Sequence, residues 1–277
     1  VYAEARPPVA WDIERGINIR WKRPLPTEDA EPVVVGKRLF VTTYTGEVAC
    51  LDAAAGAESW RKKPEAQGAA AAGDYPPLAV TASYALPSRM WRQAEVPKVK
   101  APPAYARSCL TPVADANRVW VHDPRGVVAC FDHAGKQLWA QAVAAQTPRY
   151  AEGGYVSARI LPPTHPAAIG SRLIAAVGEG LTAFDLETGK VAWQRPTLDY
   201  LGQFAVMQPD DNLGGGLVLL SSGEVLDADT GKTLIARCAP LIPDSACEPV
   251  VNGRTAYFHA CSSAVRFWRD AAGALCS

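Results

Sequence analysis

The chain lacks most of the signals that would name a chemistry. It has no excess of either charge, with 28 lysines and arginines against 28 aspartates and glutamates in 277 residues. Nucleic acid calls for a clustered basic surface, so this balance argues against such a partner. No apolar run reaches the roughly 18 residues that a membrane-crossing helix needs. There is no Cys-x-x-Cys and no Cys-x-x-Cys-His, which leaves a zinc ribbon and covalent haem without support. No His-Glu-x-x-His, phosphate-cradling glycine loop or Ser–His–Asp phrase occurs. The glycines at 214–216 precede a strand pattern, not a helix, and read as a flexible turn. Helical periodicity is absent. The first residue is Val1 and no basic segment leads into an apolar run, so a signal peptide reads as absent or already removed.

What is present is one phrase written several times. GEVACLDAAAGAESW (46–60), GVVACFDHAGKQLW (126–139) and GLTAFDLETGKVAW (180–193) share the form small-x-Asp-x-x-x-Gly-x-x-x-Trp. It is complete at Cys50, Asp52, Gly56, Trp60 and at Ala183, Asp185, Gly189, Trp193. The turn is one residue shorter at Cys130, Asp132, Gly135, Trp139. At Val225, Asp227 and Gly231 the phrase ends in Ile235 instead of Trp. A last copy, RDAAGALCS, holds Asp270 and Gly273, and an N-terminal corner, WDIERGINIRW, holds Asp12, Gly16 and Trp21. A second phrase precedes most copies, as in EPVVVGKRLFVTT (31–43) and EPVVNGRTAYFHA (248–260). An apolar run, a short polar turn and an alternating run predict a hairpin. The Gly-x-Val-x-Cys-Leu-Asp run predicts a third strand. Asp-x-x-x-Gly predicts a tight turn in which Asp accepts local amide protons and Gly takes positive φ. The run ending in Trp is a fourth strand. Four antiparallel strands repeated around an axis make a β-propeller blade. The expected fold is all-β, a single domain over 1–277, with about five recognisable blades and an N-terminal strand at 17–23. An Ala/Pro-rich insert occupies 64–108.

These phrases resemble the tryptophan-docking motif of the pyrroloquinoline quinone (PQQ)-like, quinoprotein-type β-propeller repeat, and the run PPVAWDIERGINIRWKRPLP (7–26), followed by a hairpin and CLDAAAGAESW (50–60), resembles bacterial PQQ-binding-like, BamB-related proteins. The resemblance implies that Asp52, Gly56, Trp60, Asp132, Gly135, Trp139, Asp185, Gly189, Trp193, Asp227 and Gly231 are structural, each Trp packing between neighbouring blades. Such propellers have seven or eight blades, so the ring is expected to be incomplete in this sequence or completed by another chain. An unpaired edge would otherwise invite aggregation. The quinoprotein enzymes add an adjacent cysteine pair over the cofactor, a calcium held by carboxylate and Asn, and an Asp base. The seven cysteines here include no adjacent pair.

Other candidates come from the residues themselves. Cys50 and Cys130 read as small buried side chains in third strands. Cys238 with Cys247, and Cys261 with Cys276, are possible disulfides by spacing. His122 and His259 hold equivalent repeat positions, and with Asp123 they are candidate metal ligands; the alternative is that each is a polar strand end facing solvent or a central channel. His133 and His165 read as surface residues. Trp91, flanked by Arg89 and Arg92 in the insert, is a candidate partner contact. The reading overall is a non-catalytic protein-binding or scaffold propeller in a periplasmic or extracellular assembly, with no cofactor and no catalytic set. One alternative is a PQQ- and calcium-dependent oxidoreductase or a degenerate relative. Another is an accessory subunit of a larger redox or membrane-associated complex.

Overall fold

Repetition governs the architecture as well as the sequence. The computed structural model describes residues 12–27, 30–43, 45–66, 110–123, 126–144, 164–177, 180–196, 203–239, 249–258 and 263–277. Every regular element among them is a strand. The first sheet runs β1 (Val33–Val35), β2 (Arg38–Thr42), β3 (Val48–Asp52), β4 (Glu58–Lys62), each antiparallel to the one before. The second runs β5 (Val113–Ala114), β6 (Arg118–Asp123), β7 (Val127–Asp132), β8 (Gln137–Ala142). The third comprises β9 (Ala167–Ile169), β10 (Arg172–Val177), β11 (Gly180–Asp185) and β12 (Val191–Pro196). The fourth comprises β13 (Phe204–Met207), β14 (Leu217–Leu220), β15 (Val225–Asp227) and β16 (Thr233–Ile235). These are propeller blades of the expected four-stranded kind.

The middle strands of the second, third and fourth blades are near-continuous apolar runs because a sheet lies on both sides of them. Thus the burial of β7 and β11 is unbroken across their four central residues. Four apolar clusters fill the gaps between successive sheets. Phe40 and Val48 meet Val119 and Phe131 between the first and second. Trp120 and Cys130 meet Leu173 and Phe184 between the second and third. Ile174 meets Phe204 and Val218 in the next gap, and Leu219 meets Ala256 and Phe258 in the last.

The third and fourth strands share one irregularity in all four blades. Register shifts by a residue at Cys50/Leu51, Cys130/Phe131, Ala183/Phe184 and Val225/Leu226. The extra residue is Ser59, Leu138, Ala192 or Leu234, immediately before the Trp position, and a bulge of this kind re-aims the side chains beside it. It also explains two exposed leucines, since Leu138 and Leu234 are bulge residues at 42% and 37% exposure.

Two parts differ from the expectation. The fifth unit forms a three-stranded sheet, β17 (Val250–Asn252), β18 (Thr255–Phe258) and β19 (Ser263–Arg266), plus a separate pair, β20 (Trp268–Arg269) and β21 (Leu275–Cys276). Register is the reason. In the first three blades the arginine that opens the second strand lies opposite the corner aspartate, as Arg38 does with Asp52. In the fifth, Thr255 lies opposite Arg266, so Asp270 falls beyond the ladder. The other difference is at the N-terminus. Asp12 bridges to Ile17, but residues 18–25 form no strand, because no described neighbour pairs with them.

Candidate functional site

Each blade corner is built by its aspartate. Asp52 Oδ1 accepts the amides of Ala54 (2.9 Å) and Ala55 (2.7 Å). Asp132 Oδ1 accepts those of Ala134 and Lys136, at 2.9 and 2.8 Å. Asp185 and Asp227 accept both the amide and the hydroxyl of the following threonine, Thr188 or Thr230. Donation by Thr188, first from its hydroxyl and then from its amide, holds the Asp185 carboxyl below the usual range. The corner glycine then closes the turn, for example Gly56 N to Asp52 O at 2.8 Å.

An indole from the preceding segment sits on each closed corner. A methyl group added at Gly56, Gly135, Gly189 or Gly231 would stand 2.5, 2.8, 2.5 or 2.7 Å from Trp21, Trp60, Trp139 or Trp193 respectively. The indole N–H donates to the carbonyl of the residue after the corner aspartate. Trp21 reaches Ala53 O (3.1 Å), Trp60 reaches His133 O (3.0 Å), Trp139 reaches Leu186 O (3.2 Å) and Trp193 reaches Ala228 O (2.9 Å). Opposite the indole on the third strand stands the small residue, Cys50, Cys130 or Ala183. Arginine two places after the Trp adds a second clasp. Arg23 donates to Gly56 O and Glu58, and Arg195 donates to Gly231 O, Thr233 and Glu224.

Sequence reasoning missed several members of this arrangement. Trp120, 2% exposed on β6, also donates to Leu186 O, at 3.0 Å, so one carbonyl takes two indoles. The only available signal was a Trp at a position that is aliphatic, Phe or Tyr in other copies. His133 is half-buried, not superficial: its ring lies 4.9 Å from Phe40 and its carbonyl takes Trp60. His165 is likewise half-buried, and its Nδ1 accepts the Thr111 amide at 2.9 Å. The glycine turn at 214–216 is close-packed, with Ile169 2.5 Å from the place a Gly216 methyl would take. Arg269 fixes the same turn by donating to Leu213 O, and its other arm reaches Gly273 O at 2.7 Å.

The candidate ligands do not assemble. His122 does not face solvent. It is 2% exposed inside β6, and burial lowers its pKa to about 4 against the opposing pull of Asp123. His259 lies outside the described residues, as do Trp91, Arg89, Arg92, Cys247 and Cys261. Cys50 and Cys130 are fully buried, and burial raises both thiols, Cys130 to about 12. Among the described residues no three His, Cys, Asp or Glu side chains converge as a metal site. The corner carboxylates are aimed at their own turns. The described residues therefore assemble no ligand set for the calcium of a quinoprotein enzyme. No described helix is long and apolar enough to cross a membrane.

Blades of this build define a β-propeller of PQQ-like repeats. A family model described as outer membrane protein assembly factor BamB matches residues 11–86 and 80–267, and the chain belongs to that family. No curated protein matches it. Among solved structures it is similar to BamB from Moraxella catarrhalis, with 16% identity over 88% of this chain and 70% of that one, TM-score 0.45. It is similar to a europium-containing methanol dehydrogenase at 12% identity, over 88% of this chain and 50% of that one, TM-score 0.45. A quinohemoprotein alcohol dehydrogenase from Pseudomonas putida HK5 gives 15% identity, 76% and 34% coverage, and TM-score 0.43.

Proposed function

We propose that the chain is a non-catalytic scaffold propeller that binds other proteins in an extracytoplasmic assembly, its Asp–Gly–Trp corners holding neighbouring blades in place. The carrying observation is where the reactive groups go. Corner carboxylates bind their own turns, and the two third-strand thiols and His122 are buried and neutral at physiological pH. What the surface offers is side chains suited to contact, including Leu138, Val191, Tyr257 and Trp268. The family description, an assembly factor of the outer membrane, agrees with this reading and supports a place outside the cytoplasm.

Purification from the native source tests it. Native mass spectrometry reads co-eluting chains, and acid extraction reads PQQ in the same sample. The expected result is another protein at fixed stoichiometry and no quinone. Stoichiometric quinone, or a chain that binds no other protein at native concentration, would overturn the proposal.

A further inference from the structure

A second set of bonds joins successive sheets at the end opposite the Asp–Gly corners. The first three sheets are entered through the same pair, a polar residue and then proline: Glu31–Pro32, Thr111–Pro112 and His165–Pro166. Proline has no N–H and holds the residue before it extended, so that residue's amide is the last donor before the strand. In the first two sheets it goes to the sheet that follows. The Glu31 amide donates to Thr111 Oγ1 at 3.0 Å, and the Thr111 amide donates to His165 Nδ1 at 2.9 Å. Thr42, which closes β2, holds the same entry by donating its hydroxyl to Leu110 O.

The two acceptors differ in one respect. A hydroxyl accepts whatever the pH. An imidazole nitrogen accepts only while the ring is neutral, because the imidazolium carries a proton on both nitrogens. The Thr111 bond therefore fixes His165 as the Nε2–H tautomer, and a proton on Nδ1 would set two donors against each other. Of the segments around this entry, β10 ends in Ala176 and Val177 and β13 is led by Gln203, none of which ionises. The entry of the second sheet, 110–112, brings no ionisable group, and Glu31 stands one link further along. β6 ends in His122 and Asp123. We infer that His165 is an acid-released latch between the entries of the second and third sheets. The neutral ring holds the Thr111 amide; protonation lets go of residues 110–112, and with them the Glu31 amide that rests on the Thr111 hydroxyl. The bond is present above the titration of the ring and lost as pH falls through it. Acid then loosens these sheets at one end while Trp60 and Trp139 keep them joined at the corners. The inference goes beyond the scaffold reading and does not depend on it.

The test is nuclear magnetic resonance on the full chain, labelled with heavy nitrogen in the backbone and the histidine rings. At pH 7 the ring shifts of His165 should show the Nε2–H tautomer, and at pH 5 the imidazolium. Over the same interval the Thr111 amide should lose about tenfold of its protection against exchange, after correction for the intrinsic rate, while the amides of β11 keep theirs. His165→Asn, whose Oδ1 stands near the place of Nδ1 and does not titrate, should protect Thr111 equally at both pH values. An Nδ1–H tautomer at pH 7, or a ring still neutral at pH 5, overturns the inference, and both are read on the wild-type chain even where the variant fails to fold. Unchanged protection of Thr111 between the two pH values overturns it as well. So does a pH-dependent loss that persists in His165→Asn, or an equal loss in β11, which would mark global opening.

Discussion

Gly135→Ala separates the corner's two demands on glycine. The residue has φ of +84°, and an added methyl would lie 2.8 and 2.9 Å from Cδ2 and Cγ of Trp60. Left-handed backbone costs a non-glycine residue about 1 kcal/mol. Overpacking against a held ring adds about 1–3 kcal/mol. The expected loss is therefore about 2–4 kcal/mol. Gly36→Ala supplies the comparison: φ is +59° and nothing lies within 4 Å, so only the backbone term of about 1 kcal/mol remains. In a Trp60→Ala background, Gly135→Ala should fall to that same figure, because the obstructing ring is gone. Urea unfolding followed by circular dichroism gives all four values, and the double-mutant cycle isolates the coupling. Equal losses for Gly135→Ala and Gly36→Ala would refute the reasoning. So would a Gly135→Ala loss that persists undiminished without Trp60.

Three further outcomes follow from the same geometry. His122 binds its proton at about pH 4 in the folded chain and near 6.5 when unfolded, so its contribution is complete above pH 6.5 and is lost as pH falls toward 4; the loss amounts to about 3 kcal/mol, and melting temperatures of wild type and His122→Gln at pH 7 and 5 should show a shallower pH dependence in the variant. Cys50 and Cys130 should resist iodoacetamide at pH 8 in the folded state and react fully in denaturant, read by peptide mass; modification of Cys130 in the native protein would contradict its burial. Arg195→Gln removes the clasp on Gly231 O and Glu224 and should cost about 2 kcal/mol in urea unfolding, whereas Lys190→Gln, an exposed corner residue, should be silent within about 0.5 kcal/mol.

The repeat made blade and corner legible in the chain because each depends on neighbours a few residues away. Asp52, Gly56 and Trp60 announce a turn and the strand after it. What escaped reading is set by side chains from a different blade. Nothing local distinguishes a buried His122 from an exposed one. His133 looks like a turn residue until Phe40 and Trp60 are set against it. The displaced corner at Asp270 was hidden because the motif is intact while its register to β18 is not. Trp120 lies outside the repeated phrase, and its bond to Leu186 crosses 66 residues. The candidate site is thus less visible than the fold. Its neighbours belong to other blades, and part of it falls on residues outside those described.

The corner bonds all point one way along the chain: each indole holds the corner that follows it, never the one before. That makes the molecule a row of nearest-neighbour links, in which opening one joint spares the joints upstream. Ile235 breaks the row. Its side chain has no N–H to give, nothing lies within 4 Å of the place a Gly273 methyl would take, and among the described residues the join to the last unit falls to apolar packing, Arg269 and an Arg254–Asp210 pair at 3.7 Å. Amide exchange should therefore run fastest in β17 to β21, as though the propeller carried a hinge pin at its fourth blade.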